Sequence, residues 1–425
     1  MIRETVLPFK LGTTDDTITA NSGLALVGEF LRAMDLGALV DGAFPAPGSA
    51  RGYNAWAYLF PLILMLHAGG RSLEDLRKIA DDKGLLRLLE VGEVPSADAL
   101  GDWLRRLGRR GTRALQAVHR KVLEKAMKAS GRKEYTLDID ATAIEAWKES
   151  ALFTYKHFKG YLPMLGHLAE NGLVIAFEFR EGNVPPAGQN LDFYRQCKAS
   201  MPPGKRITEF RADAASYQGE LFDELARDGV AYAVGGRLDR ATLDVIGAIR
   251  PEQWMPYQDG WIAETVHTMN NMETAFRLVV IRRPAQPKLS GEVDPSERYH
   301  VIASSREETA VETVAWYNRR GDCSENRIKE LKCGFGMERM PCGQFEANGL
   351  FFGIGVLAYN LYKMFVSLIL WGGFARRQVQ SLRYAIYNLA GKVVSSGGQL
   401  WLKVSTAHFG LFEMVRRSIF QFGSG

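Results

Sequence analysis

Hydrophobic positions divide the chain into three stretches of different period. Up to about residue 133 they repeat at helical spacing. Leu59 to Leu66 is a continuous apolar run, and Leu73, Leu76 and Ile79 then recur at three- and four-residue intervals behind Ser72, which is placed to cap. Val94-Pro-Ser96 marks another helix start, with Leu100, Trp103, Leu104 and Leu107 as its apolar stripe. The period then shortens to two. Tyr135 to Asp140 reads as a strand, and Gly172 to Arg180 alternates, with Leu173, Ile175, Phe177 and Phe179 on one side. Asn190 to Ser200 reads as a helix, and Arg206 to Asp213 and Val230 to Val234 as strands, the latter closed by Gly235-Gly236. Strands interleaved with helices in this way predict a mixed sheet covered by helices. Beyond Arg237 the strand candidates are Trp261–Val266, Ala275–Arg282 and Tyr299–Ala303, with a helical run from about Glu307 past Lys332.

Gly349 to Leu370 is apolar for long enough to cross a bilayer. Asn360 and Lys363 near its middle would be costly in lipid, so a buried core helix is the expectation and no membrane partner follows.

Charge changes the picture more than composition does. The 425 residues are 46% hydrophobic and 24% charged, with a net charge of +5, which excludes a wholly disordered chain without indicating a partner. From Gly101 to Lys133, however, eleven Lys and Arg stand against Asp102 and Glu124, a local net of +9. Such a face suits phosphate binding, in which counterion release drives association; a solvated helix face is the plainer account. The tail from Trp371 to Gly425 repeats the bias, with seven basic residues against Glu413 alone. The four cysteines, Cys197, Cys323, Cys333 and Cys342, have no Cys-x-x-Cys spacing, so free thiols and a reducing compartment are expected. Met1 to Lys10 has no apolar segment of the secretory kind, and a cytoplasmic location is the expectation.

Three acids stand out by position. Asp138 and Asp140 share one face of their strand, Asp140 lying at its end, and Asp213 closes another strand. Glu325 lies on a helix with Lys332 two turns further along the same face. Carboxylates from strand ends and a helix can converge on hard divalent cations. Each also fits a capping role, and Asp322-Cys-Ser-Glu325 has capping-box spacing.

The segments YTLDIDATAIEA, KGYLPMLGHLAENGLVIAFEFREGN, FRADAASYQ and YNRRGDCSENRIKELK, in this order, resemble the insertion-sequence transposases of the Asp-Asp-Glu class. The likeness is to the branch with a Tyr-Arg-Glu-Lys signature (the IS-thirteen-eighty branch). The opening LPFKLGTTDDTITANSGLALVGEFL extends it over nearly the whole chain. The resemblance implies an α/β fold with an RNase H-like mixed sheet and flanking helices, a mostly β insertion and a helical N-terminal domain. Its parts would be a DNA-binding domain at 1–133, a catalytic core at 134–236 and 307–372, an insertion at 237–306, and a basic helical C-terminal region at 373–425. It further implies two Mg²⁺ ions (Mn²⁺ substituting) held by Asp140, Asp213 and Glu325, with Asp138 outside the ligand set.

Tyr317, Arg320, Glu325 and Lys332 match the signature except for one extra residue between Arg and Glu, which leaves Arg319 as competitor to Arg320 and Gly321 as the expected break. Arg320 and Lys332 would grip phosphates, and Tyr317 either binds phosphate or packs in the core. Trp261, with Trp254 and Trp316 as competitors, would stack on an unpaired base, and Arg105, Arg106 and Arg109 would contact the DNA backbone. The implied partner is double-stranded DNA, bound by a homodimer. A non-catalytic DNA-binding relative and a metal-dependent nuclease without strand transfer are the alternatives.

Overall fold

The computed structural model describes residues 7, 9–49, 52–270, 272–284, 298–370, 372–374 and 377–424, with the side chains of 322 and 323 left out. The chain forms two compact units, one of residues 1–42, 46–100 and 365–425 and the other of 43–45 and 101–364.

The N-terminal part of the first unit is helical after a short strand, β1 (Ile18–Thr19). The Ser22–Ala33 helix buries Leu24, Val27, Phe30 and Leu31. The apolar run at Leu59 lies in the Ala55–Ala68 helix, which Asn54 starts by accepting from the Ala57 N–H and Gly69 ends at φ 95°. Buried Arg383 satisfies that helix end. Its Nε donates to the His67 carbonyl at 2.6 Å and its Nη2 to that of Leu66 at 2.9 Å, a cation placed where the helix dipole favours one.

The second unit is built on a nine-stranded sheet. The strands after the Ala97–Lys128 helix are β2 (Glu134–Ala141), β3 (Ile144–Glu145), β4 (Leu152–Phe153), β5 (Lys159–Tyr161), β6 (Met164–Leu168) and β7 (Val174–Glu178). There follow β8 (Arg206–Ala212), β9 (Ala231–Gly235), β10 (Met255–Tyr257), β11 (Gly260–His267), β12 (Phe276–Arg282) and β13 (Tyr299–Ser304). The order is β10-β11-β12-β13-β9-β8-β2-β6-β7, while β3, β5 and β4 form a separate small sheet. β2 runs antiparallel to β6 and parallel to β8, and β8 runs parallel to β9. That five-strand arrangement, with the Asn190–Ala199 and Gly219–Arg227 helices between its parallel strands, is the RNase H-like fold. Residues 237–306 do not form a separate sheet. Their strands continue the core sheet beyond β9 through β13. The alternation at 172–180 suggested one dry face, yet Val174 to Phe177 is buried on both, as expected of a strand with cover on each side.

The long apolar segment is a helix, Phe345–Met364, whose residues from Ala347 to Tyr362 are buried. It meets the length and composition of a membrane span, but 83% of its most apolar window is buried inside the protein. Asn360 satisfies the sheet from within it. Its Oδ1 accepts from the Val174 N–H at 2.9 Å, and its Nδ2 donates to the Val174 carbonyl at 2.8 Å and lies 2.6 Å from His119 Nε2. Burial holds His119 well below the usual imidazole range, at about 4, so the ring is neutral.

The C-terminal part returns to the first unit, and the basic helical region expected there contains a hairpin as well as helices. β14 (Gly391–Ser396) and β15 (Gln399–Lys403) form a hairpin, and β14 pairs with β1. Gly397 and Gly398, at φ 59° and 72°, supply the two left-handed residues that a tight hairpin turn requires. The Thr406–Gly423 helix ends the chain, with Phe422 against Phe30 at a ring separation of 5.5 Å.

Asn360→Leu should cost about 1–3 kcal/mol, since it strands the Val174 N–H and removes one partner each from the Val174 carbonyl and the His119 ring. Urea titration against the parent protein measures the loss, and an unchanged midpoint would mean that water replaces the amide.

Candidate active site

Parallel pairing brings the carboxyl ends of β2, β8 and β9 to one side of the sheet. Asp140 lies one residue from the end of β2, Asp213 directly follows β8, and Gly235 ends β9. Because β13 is antiparallel to β9, its start at Tyr299 lies at the same end, in register with Arg282 and, through it, Trp261. Trp261 is five strand steps from β2, about 24 Å at the usual spacing.

The third acid arrives on the helical run from Ala310 to Gly334. Gly321 does not break it. It has helical angles, φ −55° and ψ −52°, and residues 321–325 form a π turn. A π turn holds one more residue than an α turn, so the extra position before Glu325 is absorbed without ending the helix. Glu325 is exposed and makes no capping hydrogen bond. Of the other acids nearby, Glu330 is nearly buried, 3.9 Å from Lys363, and the Asp322 side chain lies outside the described residues.

This helix is tied to the sheet by one buried ion pair. Arg211 on β8 donates from Nε and Nη2 to both oxygens of Asp138 on β2, at 2.7 and 2.9 Å, and from Nη1 to the Trp316 carbonyl at 2.8 Å. Asp138 is fully buried and Arg211 only 3% exposed. Trp316 is half-buried between the guanidinium groups of Arg211 and Arg306, so its ring is committed to packing.

Two residues along the strand, Asp140 meets the Nη2 of Arg320 at 3.3 Å. Burial pushes the Asp140 carboxyl up to about 6; Arg320 opposes the shift, and the charges of Asp213 and Glu325 add to it. Asp213 accepts from the Ala215 N–H at 3.0 Å, so one of its oxygens does act as a cap. Gly235 keeps the neighbouring space open. A Cβ there would stand 2.9 Å from the Tyr317 hydroxyl and 3.0 Å from the Ala214 nitrogen. Lys332 Nζ donates to the Ala143 carbonyl at 2.7 Å, and burial lowers its pKa. Asp140, Thr142, Glu325, Lys329, Lys332 and Glu338 line a cleft of about 340 Å³. Arg319 is exposed, whereas Arg320 is buried.

Among the described residues no three His, Cys, Asp or Glu side chains stand close enough together to hold an ion as they are. The donors still fit a hard cation. Asp140 and Glu325 line the cleft, Asp213 is near enough for its charge to act on Asp140, and the repulsion among them is of the kind a cation relieves.

Elsewhere, ten of the eleven basic residues from Arg105 to Lys133 are exposed, Lys125 being half-buried. Arg105 pairs with Asp102 and Arg109 with Glu346, both at the surface, while Arg106 is also exposed. Trp261 is 39% exposed, and Arg282 is sandwiched between it and Trp254. Cys197 and Cys342 are buried free thiols, Cys333 is exposed, and the Cys323 side chain lies outside the described residues.

Asp138→Asn should destabilise the second unit by about 3–5 kcal/mol, because the Arg211 charge is left buried without its partner. Asp138→Leu combined with Arg211→Met should cost less than that single change. A double variant less stable than Asp138→Asn, by chemical denaturation, would contradict this account.

The chain is similar in fold to a piggyBac transposase in a cryo-EM synaptic complex with hairpin DNA, at 13% identity over 97% of this chain and 84% of that one, with a TM-score of 0.47. No curated protein matches at a significant level. The sequence matches the family described as Transposase DDE domain group 1 over residues 8–419, nearly its whole length, and the protein belongs to that transposase family.

Proposed function

We propose that the chain is an insertion-sequence transposase of the Tyr-Arg-Glu-Lys branch, which binds the terminal inverted repeats of its element, cleaves the ends and joins them to target DNA. The observation that carries the reading is the meeting of Asp140, Asp213 and Glu325 at one end of the sheet, where the latter two raise the Asp140 carboxyl beyond what burial does. These three would hold two Mg²⁺ ions, Mn²⁺ substituting. When bound, the ions supply Lewis-acid stabilisation to the attacking and leaving oxygens of phosphodiester cleavage.

The chain's own residues orient the substrate. Arg320 is the signature arginine. Its Nε is buried with no partner among the described residues, a donor suited to a phosphate oxygen at the cleft. Lys332 adds a point charge on the same side, and the Tyr317 hydroxyl a neutral donor beside Asp213. Water then attacks the scissile phosphate to free a 3′-hydroxyl, which in turn attacks target DNA. Residues 1–133 and their basic face bind the ends, with 134–236 and 307–372 as catalytic core, 237–306 as insertion and 373–425 as a basic C-terminal region. Trp261 stacks on an unpaired base with the ring face that Arg282 leaves open. The active complex is a homodimer on double-stranded DNA in the cytoplasm.

Asp140→Asn, Asp213→Asn and Glu325→Gln should each abolish Mg²⁺-dependent cleavage of DNA bearing the element ends while leaving binding within a few fold. Double changes should be no worse than single ones, as for groups that act as a unit. Asp213→Asn keeps the capping oxygen, so its loss reads the charge alone. End binding without cleavage by the parent protein would favour a non-catalytic relative, and cleavage without joining a nuclease.

Replacing Arg105, Arg106 and Arg109 by Ala should flatten the dependence of DNA affinity on salt by up to about 0.9 in log–log slope for each phosphate no longer neutralised. Their surface ion pairs contribute too little to hold them back. An identical slope removes this face from the DNA interface.

A further inference from the structure

The connection between β2 and β6 carries a surface that the catalytic reading does not use. It begins two residues after Asp140 and folds into the small β3-β5-β4 sheet. Trp147, Phe153 and Tyr155 are 74%, 60% and 54% exposed on it, an unusual density of bare aromatic rings. The rings are held rather than loose. Trp147 Nε1 donates to Glu145 at 3.1 Å. Phe153 is paired across the hairpin with Lys159, whose ammonium lies 5.8 Å from its ring centre. The Thr154–Phe158 turn is closed by the Thr154 N–H on the Phe158 carbonyl at 2.8 Å, and Lys156 lies 5.6 Å from the Tyr155 ring.

The surface is also fastened to the cleft. Lys332 bonds the Ala143 carbonyl, Lys148 that of Pro341 at 3.3 Å, and the Ser150 N–H that of Gly343 at 3.1 Å. Lys156 is near enough to Lys332 to repel it. Glu145 and Glu149 are the acids of the segment, but the β4–β5 hairpin, residues 152–161, has Lys156 and Lys159 and none. Among the described residues no carboxylate pairs with either lysine at ion-pair distance.

We infer that Trp147, Phe153 and Tyr155, with Lys156 and Lys159, form a platform for unpaired bases of the DNA strand that flanks the scissile phosphate. Aromatic faces stack on any base, and the interleaved ammonium groups match the phosphates between bases, a pairing of chemistries that single-stranded DNA presents in the same alternation. The platform rests on the transposase reading. It lies next in the chain to Asp140, whereas Trp261 stands across the sheet, so the two would serve different positions along the DNA.

The test uses the full chain in EDTA, a blunt duplex, and the same duplex with unpaired oligo-dT arms containing one 2-aminopurine. Trp147→Ala and Phe153→Ala should each weaken forked-DNA binding about tenfold and restore 2-aminopurine fluorescence, with blunt-duplex affinity unchanged. Trp147→Phe should retain most of the quenching, which separates stacking from a folding defect. Equal losses on both DNAs, or no loss on either, overturn the platform, as does a change from dimer to monomer at constant DNA affinity. No binding of either DNA by the parent protein overturns the transposase reading itself, whereas blunt binding with no preference for the fork overturns only this inference.

Discussion

The buried pair between Asp138 and Arg211 fixes what the rest of the second unit can do. It joins two neighbouring parallel strands and, through the Trp316 carbonyl, the helix that lies across them. Desolvating two charges is expensive, and a well-packed apolar pair would often be as stable. What the ion pair adds is direction. A bidentate fork accepts one relative placement of two strands, and its third donor accepts one placement of the helix. Asp140 is two residues from one partner, Asp213 two from the other, and Tyr317 and Arg320 one and four from the helix contact. Asp140, Asp213, Tyr317 and Arg320 thus all lie within four residues of groups that a single guanidinium holds together.

Much of this was legible in the sequence. Asp140 and Asp213 fall at the ends of their strands, and Glu325 and Lys332 repeat at helical spacing. The helical reading of the apolar segment also rested on physical grounds, because an amide in its middle needs partners that lipid cannot supply. Asn360 has them in Val174 and His119. What stayed hidden depends on pairing that is distant in sequence. The choice between Arg319 and Arg320 turns on which side of a helix faces Asp140, and a single extra residue made that phase unreadable. Asp138 could be kept apart from the ligand set by resemblance, but its partner lies 73 residues away on another strand. The C-terminal hairpin was lost by attending to charge where a Gly-Gly pair between alternating segments was the stronger signal.

The insertion offers a different lesson. A mostly β insertion was expected at 237–306, and its strands lengthen the core sheet. A strand added to an open edge needs no new core of its own, since its backbone groups pair at once and its side chains join a surface already formed. Ala233 of the core sheet, Ile262, Val279 and Ile302 of the added strands, and Ala310 and Val314 of the following helix share one apolar cluster. The helix that brings Glu325 therefore packs on inserted and original strands alike.

The π turn at residues 321–325 bears on how such sites diverge. An insertion into an α-helix normally rotates everything downstream by about 100°, which would carry an acid and a lysine away from the cleft they serve. When the added residue bulges into one wide turn, the helix beyond it returns to its former phase. Glu325 still reaches the cleft that Asp140 lines. One more residue between Arg320 and Glu325 is thus accommodated with Glu325 still at the cleft, and a rule that demands fixed spacing would pass over such a chain.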